Sequence, residues 1–221
     1  MKYIYIIVIF ISACSKSTES GQTTTPPLSF IVKEVTSKTG RIWLDRNLGA
    51  SQVATSSTDV LSYGDLYQWG RGSDGHQKRT SLTTTVLSNT DQPGNASFIL
   101  SPNSPYDWRS IKNNNLWQGV NGINNPCPSG YRLPTSTEWN TERLSWISNN
   151  AAGAFASTLK LPLAGVRDYG TGAFGDVGTG VTYWSSTVNG ANSYWLIIFS
   201  TGANIQADAR ADGICVRCIK N

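Results

Sequence analysis

The side chains able to do covalent or acid–base chemistry in this chain are few. His76 is the one histidine, set in the polar stretch "SDGHQKRT". A Ser-His-Asp or Cys-His relay would have to use it, yet no nucleophile motif points there. A surface or hydrogen-bonded imidazole is the simpler reading. Cys215 and Cys218 form a C-x-x-C pair in "GICVRCIKN". Redox pairs of that spacing sit at helix N-termini, where the dipole lowers a thiol pKa. This pair lies in a strand-like tail. Structural zinc needs four ligands, and Cys127 exhausts the supply. Glu138 and Glu142 stand one helical turn apart, the spacing of an acid–base pair. Helix capping by Glu138 and a solvated face for Glu142 account for them more simply. No catalytic residue is expected.

Non-covalent binding has better candidates. Trp108 and Trp117 lie in polar loops beside Asn113, Asn114 and Asn115. Aromatic faces stack on sugar rings or protein side chains, while amides supply paired donors and acceptors. The plainer account, that these tryptophans pin a long loop to the core, is weighed ahead of it.

These residues must be positioned by short elements. A strand is expected near Arg41–Gly49, "RIWLDRNLG", and a helical turn between Tyr63 and Tyr67. From Lys78 to Asn125 the chain is rich in Asn, Ser and Thr, so irregular structure pinned by Phe98, Trp108 and Trp117 is expected. "LPTSTEW" is the strongest local signal. Thr135 with Glu138 three residues later has capping-box spacing. A helix should follow, with Trp139, Leu144, Trp146 and Ile147 as its apolar surface, ending near Asn149. The last third reads as antiparallel sheet: "LKLPLAGVRDY", a glycine-rich loop, then "VTYWSST", "YWLIIFS" and "ICVRCIK". "YWLIIFS" is apolar on both faces and should be a central strand.

At the other end, "MKYIYIIVIFISACSKS" has an apolar run too short to span a bilayer, which takes about 20 residues. It reads as a secretory signal over residues 1–13. Ile11-Ser12-Ala13-Cys14 resembles a bacterial lipobox, in which the cysteine is acylated and becomes the new N-terminus. Acyl chains would hold Cys14 at the membrane, each buried CH₂ adding about 0.8 kcal/mol. Residues 14–29, polar and closing on Pro26-Pro27, read as a flexible tether. Residues 30–221 suit a single domain. The net charge is +4, with basic residues scattered, so nucleic-acid binding is set aside.

With Cys14 lipidated, three cysteines remain in a compartment that permits disulfides. Strand alternation puts Cys215 and Cys218 on opposite faces, so they should not pair with each other. Cys127 is then left to pair with one of them. We take Cys218, which would close a loop of roughly 90 residues and stabilise by about 4 kcal/mol.

"GRIWLDRNLGAS", "GDLYQWGR..DGHQ", "NPCPSGYRLPTSTEW", "YWSST" and "GICVRCIK", in that order, resemble the Fibrobacter succinogenes major paralogous domain, over about Val32 to Lys220. The resemblance implies an α+β, C-type-lectin-like fold: short antiparallel strands, one or two helices and long loops. That fold also hosts formylglycine-generating enzymes and variable target proteins of diversity-generating retroelements. It implies the pairing Cys127–Cys218. Cys215 departs from the pattern, where a small or apolar residue is expected. The ligand face of such folds, built from long loops and adjoining strands, maps to Arg167–Thr182, with Arg167, Asp168 and Tyr169, and to the turn bearing Asn189, Asn192 and Tyr194. Asp168 and Asp176 could offer oxygen ligands to calcium. The lectin-type calcium motifs are absent, and "DQPG" at Asp91–Gly94 only approximates one, so no cofactor or metal is favoured.

The expectation is therefore an exported module, lipid-anchored at the bacterial outer membrane on its periplasmic or cell-surface face, that binds a glycan or a protein. A structural or adhesive role in a surface assembly comes second, and an oxidase third. Ligand binding calls for exposed Trp or Tyr beside Asn and Asp. Assembly calls for buried tryptophans and an exposed apolar face.

Overall fold

The computed structural model describes residues 33–221. The signal expected at 1–13, the lipidation expected at Cys14 and the tether expected at 14–29 lie outside the described residues. Within those residues the protein is α+β, with short strands in four small sheets and two helices.

Strands β1 (Glu34–Thr36) and β2 (Ile42–Leu44) form a hairpin whose sheet continues through β11 (Ile219–Lys220) to β5 (Tyr131–Arg132). The end of the chain is thus inserted between an early and a middle strand. Cys127 just before β5 and Cys218 just before β11 are joined as a disulfide, Cα to Cα 5.9 Å across 91 residues of sequence. Strands β3 (Thr83–Thr84) and β4 (Phe98–Ile99) pair in parallel, and β6 (Val166–Arg167) pairs with β7 (Phe174–Gly175).

The longest strands, β8 (Gly180–Asn189), β9 (Asn192–Phe199) and β10 (Gly202–Asp208), form an antiparallel meander with β9 in the centre, as its two apolar faces require. Val181, Tyr183, Leu196, Ile198 and Ala203 point to one core, shared with Trp43, Trp139 and Ala154. Trp184 and Trp195, paired across β8 and β9, enter a second core with Tyr67, Trp69, Trp108 and Trp117.

Helix α1 (Ser136–Leu144) begins on the expected capping box: Thr135 Oγ1 accepts from the Glu138 N–H, and Glu138 accepts from the Thr135 N–H. The helix stops five residues before Asn149. Both the N–H and the hydroxyl of Ser145 donate to Glu142 O, closing the last turn early. Asn150 then caps a second helix, α2 (Ala151–Ala156), accepting from Gly153 N–H. Gly153 admits no side chain, since a Cβ there would lie 1.8 Å from Ser148 O. Trp139 and Trp146 are buried, but Leu144 and Ile147 are exposed. Glu142, expected on a solvated face, is buried, with the Thr39 hydroxyl donating to it at 3.4 Å. Its position on α1 faces the β1–β2 turn, a contact the helix period alone does not reveal.

Other local expectations contract. The strand at 41–49 is only Ile42–Leu44. The turn expected at Tyr63–Tyr67 falls earlier, as a 3₁₀ turn at Val60–Ser62 capped by Asp59, while Tyr67 bridges to Ile214. The 78–125 region is largely irregular, with Phe98, Trp108 and Trp117 fully buried beneath it.

Candidate functional site

The irregular region is built around buried cations and amides. Arg71, wholly buried, donates from Nη1 and Nη2 to the carbonyls of Ser97 and Asn95 and from Nε to Asp74. It also lies 5.7 Å over the Trp108 ring. Gln68, equally buried, accepts from Arg71 and from Ile99 N–H, and donates to Ile99 O and Ala211 O. Each hydrogen-bonding atom of that amide is used, and by orienting Arg71 it helps fix the end of loop 91–97 against the core.

That loop and the chain at 72–74 border a cleft of about 440 Å³, closed at one side by Asn124. Its lining carries the carboxylates of Asp74 and Asp91, the amides of Gln92, Asn95 and Asn124, and the Ser73 hydroxyl, with Gly72, Gly94 and Ala96 leaving the walls open. Asp91 is held by Arg109 and, at 3.0 Å, by the Asn113 amide. Asn124 donates to Gly70 O and Asp91 O and adopts a positive φ of 60°, which asparagine tolerates better than most residues. Gln92 has no side-chain hydrogen bond among the described residues. The volume suits a small molecule.

Ser73 and Asp74 at the cleft, with His76 behind them, make a Ser-Asp-His grouping in name only. His76 is fully buried; its Nε2 accepts from Gln68 N–H at 3.1 Å, and its Nδ1–H donates to Asp74 at 2.6 Å. Burial pulls the imidazole down to about 4, against Asp74, so it is neutral at pH 7. With both nitrogens committed, it has no free edge to offer Ser73.

A second surface forms where the loop at 103–115, the loop at 167–172 and the β8–β9 turn meet the segment 208–212. Asn114 accepts from Arg210 at 2.6 Å, and Arg210 also donates to Gly190 O and Asn192 O. Asn189 is exposed opposite Asn192, and Tyr194 is half-buried beside Ala207. Arg210 itself is buried, 4.4 Å over Trp69 and 3.9 Å from Asp107. Next to it Tyr169 stands edge-on to Tyr106, ring centres 5.9 Å apart, and donates its N–H to Asp212 at 3.0 Å. Asp168 spends one oxygen on Gly170 N–H, Thr171 N–H and the Thr171 hydroxyl, which shapes its loop.

Three expected ligand contacts are corrected. Trp108 and Trp117 are fully buried, their indole N–H groups donating to Trp69 O and Asn124 O, so neither offers a stacking face. Arg167 is buried too, its guanidinium donating to Gly172 O and Ser81 and lying 4.3 Å over Phe98. Loop anchoring explains all three. Cys215 is buried and free, and burial pushes its thiol up to about 12, so it stays protonated. Among the described residues no three His, Cys, Asp or Glu side chains group as metal ligands, Asp168 and Asp176 included. As binding residues Asp74, Asn95 and Asn124 were missed, and Gln92 was weighed only within "DQPG" as an approximate calcium motif. Their one signal was polar, glycine-punctuated sequence on both sides, which "DGHQ" and "DQPGNAS" share with ordinary loops.

No family model, curated protein or solved structure matches this chain.

Proposed function

We propose that this protein is a lipid-anchored, exported binding module of C-type-lectin-like fold, related to the Fibrobacter succinogenes major paralogous domain, that holds a glycan non-covalently. The cleft at Asp74, Asp91, Gln92, Asn95 and Asn124 carries the reading. Vicinal hydroxyls of a sugar need adjacent acceptors and donors, and carboxylates beside carboxamides supply both. The α+β architecture and the Cys127–Cys218 bridge support the family resemblance.

A glycan array probed with the detergent-solubilised full chain, with and without calcium, tests it. Selective binding that Gln92→Ala weakens at least tenfold, with thermal stability unchanged, is expected. Silence across the array would overturn the glycan reading.

The assembly role stays second because of a separate observation. All eight tryptophans are buried, while Val60, Leu61, Phe174 and Val177 are exposed. Arg79 lies over both Tyr63 and Phe174, which puts the 3₁₀ turn and the glycine-rich loop on one surface. Cross-linking in the parent membrane, compared with a Leu61→Asp variant, would detect a partner there.

A further inference from the structure

The surface around Tyr106 and Tyr169 shares no residue with the cleft, and its chemistry is different. Tyr106 is 44% exposed and holds a positive φ of 57°, rare for an aromatic residue. Ala211 N–H donates to Tyr106 O at 3.2 Å, and Tyr169 N–H donates to Asp212, so both tyrosines are fastened to the same short segment. Asp212 is only 6% exposed. Its Oδ1 takes the Tyr169 N–H, while its Oδ2 is not sealed from solvent and accepts no hydrogen bond from the described residues. A carboxylate that is mostly buried, has no cation bonded to it and keeps one oxygen open to solvent can take a donor or a positive charge from a ligand. The titratable groups that face Asp212 are Asp168 and Tyr169 from the 167–172 loop and Asp208 from the end of β10, with Tyr106 beyond Tyr169. The nearest arginines, Arg167 and Arg210, are committed to Ser81 and Gly172 and to Asn114 and the β8–β9 turn.

We infer that the Tyr106–Tyr169 pair and Asp212 form a binding site for an organic cation, a primary alkylammonium group such as a lysine side chain or a free amine. Aromatic faces attract such a cation, an ammonium proton fills the vacant Asp212 acceptor, and Asp168 and Asp208 add attraction at longer range. A divalent metal fits poorly, because the carboxylates do not converge as a ligand set. The Asp212 carboxyl is also pushed up to about 8, by burial first and then by Asp208 and Asp168. Binding an ammonium ion should then expel a proton, so affinity rises as pH increases from about 6.5 to 8.5.

The test is a ¹H–¹⁵N NMR titration of the full chain with n-butylammonium chloride, using sodium chloride at equal ionic strength as the control. Saturable shifts at the amides of Tyr106, Tyr169 and Asp212 are expected, stronger at pH 8.5 than at 6.5. Asp212→Asn should weaken binding at least tenfold, and Tyr169→Ala should weaken it while Tyr169→Phe retains it. Spectra unchanged elsewhere would show that the variants fold. Shifts reproduced by sodium chloride, no saturation, or full binding in folded Asp212→Asn would overturn the site. None of these results bears on the cleft, whose glycan reading stands or falls on the Gln92 variant.

Discussion

Arg132 and Glu138 meet in a two-pronged ion pair, Nη1 to Oε2 and Nη2 to Oε1 each at 2.8 Å. The pair ties β5 to the first turn of α1, and Arg41 from the neighbouring hairpin adds a third contact at 2.9 Å. Burial alone would raise the Glu138 carboxyl. The Arg132 bond and the Thr135 N–H outweigh it and bring the group down to about 2. In the unfolded chain a glutamate titrates near 4.3. This stabilisation is therefore complete above the unfolded value and lost as pH falls from about 4.5 to 2. Because the pair is partly solvated, we expect Glu138→Gln to cost about 1–2 kcal/mol at pH 7 and almost nothing at pH 2. Urea denaturation at both pH values would measure the difference.

Arg71→Met should be among the most damaging substitutions outside the aromatic cores. It leaves Ser97 O and Asn95 O without their donor inside the protein and takes one of two donors from the Gln68 amide oxygen. A loss of about 3 kcal/mol is expected. The signature to look for is early hydrogen exchange at residues 95–99, since Arg71 is the pin that fixes the cleft loop. Uniform loosening across all sheets would count against that role.

The sequence was most legible where local chemistry decides the structure. Thr135 and Glu138 specify a helix start by themselves, and the two-faced apolarity of "YWLIIFS" specifies a central strand. Legibility failed where the partner is distant. Glu142 looks solvated by helix period, and only the approach of Thr39, 103 residues away, buries it. Trp108 and Trp117 stood among asparagines, yet their indoles turn inward to Trp69 O and Asn124 O. The candidate cleft was illegible for the same reason: Arg71 gathers the backbone at 95–97, and the Asn124 amide joins Gly70 O to Asp91 O, contacts between segments far apart in sequence.

The three described cysteines should respond unequally to substitution. Removing the Cys127–Cys218 bridge with a double serine variant frees a loop spanning 91 residues. A loss of about 3–5 kcal/mol follows from the added freedom of the unfolded chain. Cys215 accepts nothing and makes only a weak 3.8 Å contact with Tyr63 O, so Cys215→Ala should cost about 1 kcal/mol, from lost packing. Thiol titration should find Cys215 unreactive in the native protein at pH 8 and fully reactive in urea.

Asp212→Asn should stabilise the protein while removing the proposed amine site. An unfolded aspartate loses its proton near pH 3.9. In the folded chain Asp212 keeps its proton until about pH 8. Between those values the native state holds a proton that the unfolded state has released, so stability falls as pH rises across the window. Below about pH 4 the group makes no difference, and above 8 its full penalty is present. Asparagine keeps an acceptor for the Tyr169 N–H but cannot ionise. The variant should match the wild type at pH 4 and exceed it by about 2–4 kcal/mol at pH 8. Thermal melts at pH 4, 6 and 8 would trace the divergence. Parallel curves would mean that Asp212 titrates normally, and that some donor already meets its second oxygen. A stabilised variant that no longer binds n-butylammonium would instead identify the carboxylate as a strained group retained for its ligand.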